Sequence, residues 1–113
     1  MAIKIEAVGA ASLTVYALIR DTSGNYFDPA DSTFKAFVNV GTHDVPMAAL
    51  TNEEKVYQAS VTTTNFGASG AKFEWVAYDQ AGGSPASTDN AIGNGVIYWD
   101  NDQEAHLGVI QEL

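Results

Sequence analysis

The feature that most constrains this chain is a two-residue apolar period that recurs along its length, with no sustained 3.6-residue period to compete with it. In LTVYALIR, Leu13, Val15, Ala17 and Ile19 fall on one face, and Thr14, Tyr16, Leu18 and Arg20 on the other. Both faces stay mostly apolar until Arg20, which predicts a central, well-covered strand. In KVYQASVTTT, Tyr57, Ala59 and Val61 alternate with Gln58, Ser60 and Thr62. In AKFEWVAYDQ, Phe73, Trp75 and Ala77 alternate with Lys72, Glu74 and Val76. These patterns belong to antiparallel strands with one buried face. MAIKIEAV, TFKAFVNV, VPMAAL and GVIYWD read as further strands, and EAHLGVIQEL as an edge strand or an arm. The one candidate helix, MAALTNEEK, is too short to stand alone.

Turns separate these runs. DTSGN and FGASGA carry the Gly, Asp and Asn that reverse a chain. Strands spaced by turns at about 8–12 residues predict an all-β sandwich or barrel, not βαβ units. At 113 residues the chain has the length of one domain, and two stacked sheets are how so many half-apolar strands bury their faces. We therefore expect a single antiparallel domain over 1–113 with about seven or eight strands. There is no cysteine, so packing alone must supply stability.

Charge narrows the partners. The chain carries 14 acidic against 5 basic residues, a formal net charge of −9, with no Lys or Arg after Lys72. Phosphate binding requires cations that displace counterions, so neither nucleic acid nor an anionic membrane surface is an expected partner. AVGAASLTVYALI lacks the basic flank and cleavage site of a secretion signal, and it is shorter than the roughly 20 residues of a membrane span. It is read as a strand in a protein that keeps its N-terminus.

Catalytic motifs are weak. The two histidines, His43 and His106, are far apart, and a histidine near a strand end is more often a surface or hydrogen-bonded residue than a catalyst. No Gly-x-Ser-x-Gly elbow precedes a helix. AGGSP and GASGAK lack the context and ending of a phosphate loop. A glycosidase needs two spaced carboxylates flanking a cleft that a sandwich of this size has little room for. The expectation is a protein that is not an enzyme and has no cofactor. Asp100-Asn101-Asp102-Gln103-Glu104 places oxygens at alternate positions, as a calcium loop does, but lacks the glycine and the distal glutamate of a helix-loop-helix site. It reads first as a solvated acidic connection, and so do Asp21, Asp28 and Asp31. No metal ligand is assigned.

Three stretches are candidates for partner contact. Tyr16, Tyr57, Phe73, Trp75, Tyr78 and Trp99 lie inside strand runs and belong to the core or a sheet face. Tyr26 and Phe27 follow a turn directly, where exposed aromatics stack on a sugar or anchor a protein, or else form a lid over the open end of the sandwich. The loop Gln80–Asn90 is long for a compact domain. Gln80, Gly82, Gly83, Ser84 and Pro85 have no bulk to hold it in a core, and such loops commonly bind something or move. The terminal segments Met1–Glu6 and His106–Leu113 alternate apolar residues with little charge, and Leu107, Val109 and Ile110 make the second a candidate arm for strand addition.

The run LTVYALIRDTSGNYFD, then VYQASV, then YDQAGGSPASTDNAIGNGVIYWD resembles a group of small β-sandwich proteins encoded among the virion structural genes of tailed phages and prophages. The likeness is carried by Leu13–Asp21, Gly24, Gln80–Ala86, Asp89, Gly93, Gly95, Trp99 and Asp100. It is most specific in QAGGSPA with the later GNGVIYWD. Asn101 departs from the glycine expected after Trp-Asp, Thr62 from a strand-ending proline, and residues 102–113 have no counterpart. The resemblance implies an immunoglobulin-like sandwich and a virion setting more than a particular role. The expectation favoured within that setting is a capsid decoration or tail component in contact with other virion proteins, and a homo-oligomer on the particle. The alternative reading is a carbohydrate- or receptor-binding module using Tyr26 and Phe27.

Overall fold

The computed structural model describes residues 2–67, 71–100 and 103–105. Nine strands and one helical turn occur among them: β1 (Ala2–Val8), β2 (Val15–Asp21), β3 (Tyr26–Asp28), β4 (Thr33–Lys35), α1 (Val40–His43), β5 (Val45–Leu50), β6 (Glu53–Thr62), β7 (Ala71–Asp79), β8 (Asn90–Asp100) and β9 (Gln103–Ala105). Every pairing is antiparallel.

The two-residue period decides which side of each strand faces inward. On β1, Ile3, Ile5 and Ala7 are buried and the residues between them exposed. On β6 the buried set is Tyr57, Ala59 and Val61, and on β7 it is Phe73, Trp75 and Ala77. β2 is buried on nearly both faces, as befits a strand flanked by β5 and β7. Complete enclosure of side chains such as Ile19 and Ile97 contributes roughly 1.5–3 kcal/mol each.

The strand order is β1-β6-β5-β2-β7-β8-β9, with β3 and β4 as a hairpin hung from β2. β1, β6 and β5 hold the B-E-D positions of an immunoglobulin-like sandwich, and β2, β7 and β8 the C-F-G positions. β5 joins the two layers: Val45–Met47 pair with β2, while Ala48–Leu50 pair with β6. At the opposite side β8 passes over β1 so closely that a Cβ on Gly93 would stand 3.3 Å from that of Ala7. One end of the core is aromatic, where Phe27, Phe34, Phe66, Phe73 and Trp99 pack largely edge-to-face or tilted.

Several local expectations are corrected. MAALTNEEK is not helical: it is split between β5 and β6, with the reversal at Thr51-Asn52. Its backbone pairs in a hairpin, Ala48–Leu50 with β6, and only Met47 of the apolar run is buried. TFKAFVNV is a strand only to Lys35, and the chain then turns into α1, whose first turn is capped by the Asn39 side chain accepting from Thr42 N at 2.9 Å. Met1–Glu6 is not a free arm over its described part, because Ala2–Glu6 pair in register with Thr62–Gln58. Burial of Ile3 and Ile5 under that ladder is what holds it there.

Candidate functional site

The loop between β7 and β8 is built around one carboxylate. Asp89 is buried, and its Oδ2 accepts from the Tyr16 hydroxyl at 2.7 Å and from Ala86 N at 2.9 Å, while Oδ1 accepts from Ala81 N at 3.1 Å. Asp89 N returns a bond to Ala86 O. At the near end Gln80 N donates to Thr14 O at 2.8 Å, and the Gln80 side chain donates to Gly82 O. These bonds close the loop on itself and tie it to β2. The Tyr16 hydroxyl and then the Ala86 and Ala81 amides hold the Asp89 carboxyl below the usual carboxylate range. Burial first, and the hydrogen bond to Asp89 second, push the Tyr16 phenol up.

The anchored loop displays its middle. Gly82, Gly83 and Ser84 are exposed, Gln80 and Pro85 half-buried. Nothing lies within 4 Å of a Cβ built on Gly82 or Gly83, so neither glycine is required by a close approach.

Tyr26 and Phe27 part company. Phe27 is 2% exposed and packs on Phe34 and Phe66, so it is a core residue and not an exposed stacking surface. Alternation along β3 puts consecutive side chains on opposite faces, and the inward one is Phe27. Tyr26 faces outward and is half-buried against Phe37 and His43, with ring centroids at 5.1 and 5.7 Å. The paired aromatic platform of the carbohydrate reading is therefore not formed. Leu107, Val109 and Ile110 lie outside the described residues.

In place of that platform stands a ledge that local sequence patterns do not announce. Phe37 and Val38 are 50% and 61% exposed, the largest such side chains beside Val8 and Val96 among the described residues. Phe37–Gly41 and Ser84–Ser87 together line a concavity of about 510 Å³ that contains no charged side chain. A second, deeper one of about 170 Å³ shares Phe37, Val40, Ala86 and Ser87 with it and reaches Leu18, Tyr26 and Tyr78 on the sheet. A third, of about 350 Å³, runs on across Leu18, Val76 and Val96. The result is a mostly apolar path over the outer face of β2, β7 and β8. Its charged rim is the exposed cross-strand pair Arg20–Glu74, at 3.1 Å.

Sequence reasoning missed Phe37, Val38 and Val40, and it named His43 and Asp89 without their partners. The FVNV run was a signal, but it read as a strand. Its meaning depends on β4 ending at Lys35, which leaves two apolar side chains outside any ladder.

Among the described residues no group of three or more His, Asp or Glu is placed to hold a metal ion. Asp28 and Asp31 are instead bound to Lys35 at 2.9 and 3.0 Å. The hydrogen bond from Lys35 leads in lowering the Asp28 carboxyl, and that from the Thr33 hydroxyl leads for Asp31. No helix of the described residues is long and apolar enough to cross a membrane. No protein-family model, curated protein or solved structure matches the chain.

Proposed function

We propose that this chain is a non-catalytic virion structural protein, a capsid decoration or tail component that works by burying surface against neighbouring protein subunits. The virion setting comes from the sequence resemblance through QAGGSPA and GNGVIYWD. The contact mode is supported by one observation: a chain of net charge −9 keeps an uncharged ledge with two exposed apolar side chains, Phe37 and Val38, beside the anchored Ser84–Ser87 turn. Apolar side chains left in water on a small sandwich gain most by being covered, and a ledge lined by no charged side chain lets an acidic partner approach.

The measurement that decides the setting is the protein composition of purified particles produced by the genome encoding this chain. Copies in a fixed ratio to the major shell or tail subunit are expected, and absence of the chain from particles overturns the proposal. The contact mode is read from a Val38→Asp variant, which should fold normally and be under-represented on particles by roughly tenfold or more if the ledge lies in a buried contact. Undiminished incorporation removes the ledge from the interface.

A further inference from the structure

His43 has no exposed surface at all, yet it touches two of the exposed apolar residues, Phe37 and Val38. Its Nδ1 lies 3.2 Å from the carbonyl oxygen of Phe27, and its Nε2 accepts from Val38 N at 3.1 Å. A carbonyl can only accept and an amide can only donate, so the hydrogen sits on Nδ1 and the lone pair on Nε2. The neutral ring in that single tautomer satisfies both neighbours. It also stacks on Phe37 at a centroid distance of 5.4 Å and an interplanar angle of 23°. The ring therefore holds the ledge twice, through the Val38 backbone and under the Phe37 side chain.

We infer that His43 is a pH-responsive latch for the Phe37–Val40 ledge: the neutral ring holds Val38 in place, and protonation releases it. An added proton has one place to go, the Nε2 lone pair that accepts from Val38. Two N–H groups would then point at each other across a distance made for a hydrogen bond. The bond is lost, and a charge is left in a site closed to water.

The surrounding groups do not compensate that charge. No ion pair to His43 forms among the described residues. On β3, Tyr26 meets His43 with its ring, at a centroid distance of 5.7 Å, and the Asp28 carboxylate is held by Lys35 and Ala30 N. On β2, Arg20 is already paired with Glu74. β5 offers no titratable side chain, and neither does the stretch from Ala36 to Asn39. Asp44 adjoins the ring in sequence and burial pushes its carboxyl up, but it forms no ion pair with His43 among the described residues. The latch stands on this geometry alone. Its consequence for particle contact rests on the protein-contact reading above.

The test is nuclear magnetic resonance on the full chain carrying His106→Asn, so that one imidazole titrates. Ring-nitrogen shifts report the His43 tautomer, and amide exchange reports Val38, between about pH 8 and about pH 5. The expected result is the Nδ1–H tautomer with a protected Val38 amide at the upper end. On acidification, Val38 protection should fall roughly tenfold or more, in step with His43 protonation, while core amides such as Ala17 stay protected. Three results overturn the latch: an Nε2–H tautomer, Val38 protection that does not change with pH, or loss of protection at Val38 and Ala17 together. If His106→Asn does not fold, the two imidazoles of the unaltered chain are separated by correlation to their own Cβ, and the same criteria apply. Particle composition is a separate measurement, so failure of the contact reading and failure of the latch give different results.

Discussion

The Tyr16 hydroxyl and the Asp89 carboxylate meet at 2.7 Å across 73 residues of chain, and that bond ties the β7–β8 loop to the centre of the sheet. Tyr16→Phe removes the donor and should cost about 1–2 kcal/mol, in the range for a hydrogen bond to a charged acceptor. Asp89→Ala should cost more, because the Ala81 and Ala86 amides lose their acceptor as well. Urea unfolding of the two variants gives the comparison, and equal losses would mean that the amide bonds contribute nothing.

The same pair sets a pH dependence at both ends of the range. The Asp89 carboxyl is lowered by folding, so its contribution is present above the unfolded carboxylate value of ~4 and is lost as pH falls through the lower folded value. The Tyr16 phenol is raised by folding, so its contribution is present below ~10 and is lost as pH climbs past that. Asp89→Asn should flatten the acid limb of a stability-versus-pH curve relative to the unaltered chain, and Tyr16→Phe the alkaline limb. Parallel curves would remove the pair from the pH dependence.

Gly95 faces Trp75 in the β7–β8 ladder, and a Cβ there would stand 2.6 Å from ring atoms Cε2 and Nε1. Gly95→Ala must displace the indole or part the strands and should destabilise by about 1–3 kcal/mol, with an altered tryptophan fluorescence. Gly82→Ala, with nothing within 4 Å, should change stability by less than about 0.5 kcal/mol. The pair of variants separates packing need from loop freedom by thermal unfolding.

Phe27 and Phe37 give opposite readouts from the same chemical change. Phe27→Ala empties part of the aromatic core and should cost about 3–5 kcal/mol. Phe37→Ala removes a half-exposed ring and should cost far less while weakening particle association. Equal destabilisation would place Phe37 among the structural residues and remove it from the contact.

Tyr57 is buried on β6, and its hydroxyl donates to Ala10 O at 2.6 Å and accepts from Leu13 N at 2.9 Å, closing the β1–β2 connection. Tyr57→Phe should cost about 1–2 kcal/mol and speed amide exchange at Leu13 ahead of the strands on either side. Unchanged exchange at Leu13 would mean the connection is held by its packing.

The layering of this protein was determined by its sequence alone. A side-chain period of two can bury only one set of residues, so Ile3, Ile5 and Ala7, or Tyr57, Ala59 and Val61, face inward in any sheet built from them. Asp21-Thr22-Ser23-Gly24-Asn25 likewise contains its own turn: Asp21 Oδ1 accepts from Ser23 N and Asn25 N, and Gly24 takes a φ of 85°. Tertiary structure alone decided the rest. Phe27 and Phe37 sit in similar aromatic-rich surroundings, and one became core because β3 pairs with β4, setting Phe27 across from Phe34, while the other fell beyond the ladder's end. The role of Asp89 depends on Tyr16, and that of His43 on the Phe27 carbonyl and the Val38 amide. Periodicity is a local property that the chain carries in any conformation, whereas a carboxylate or an imidazole acquires its partners only when distant strands are brought into register.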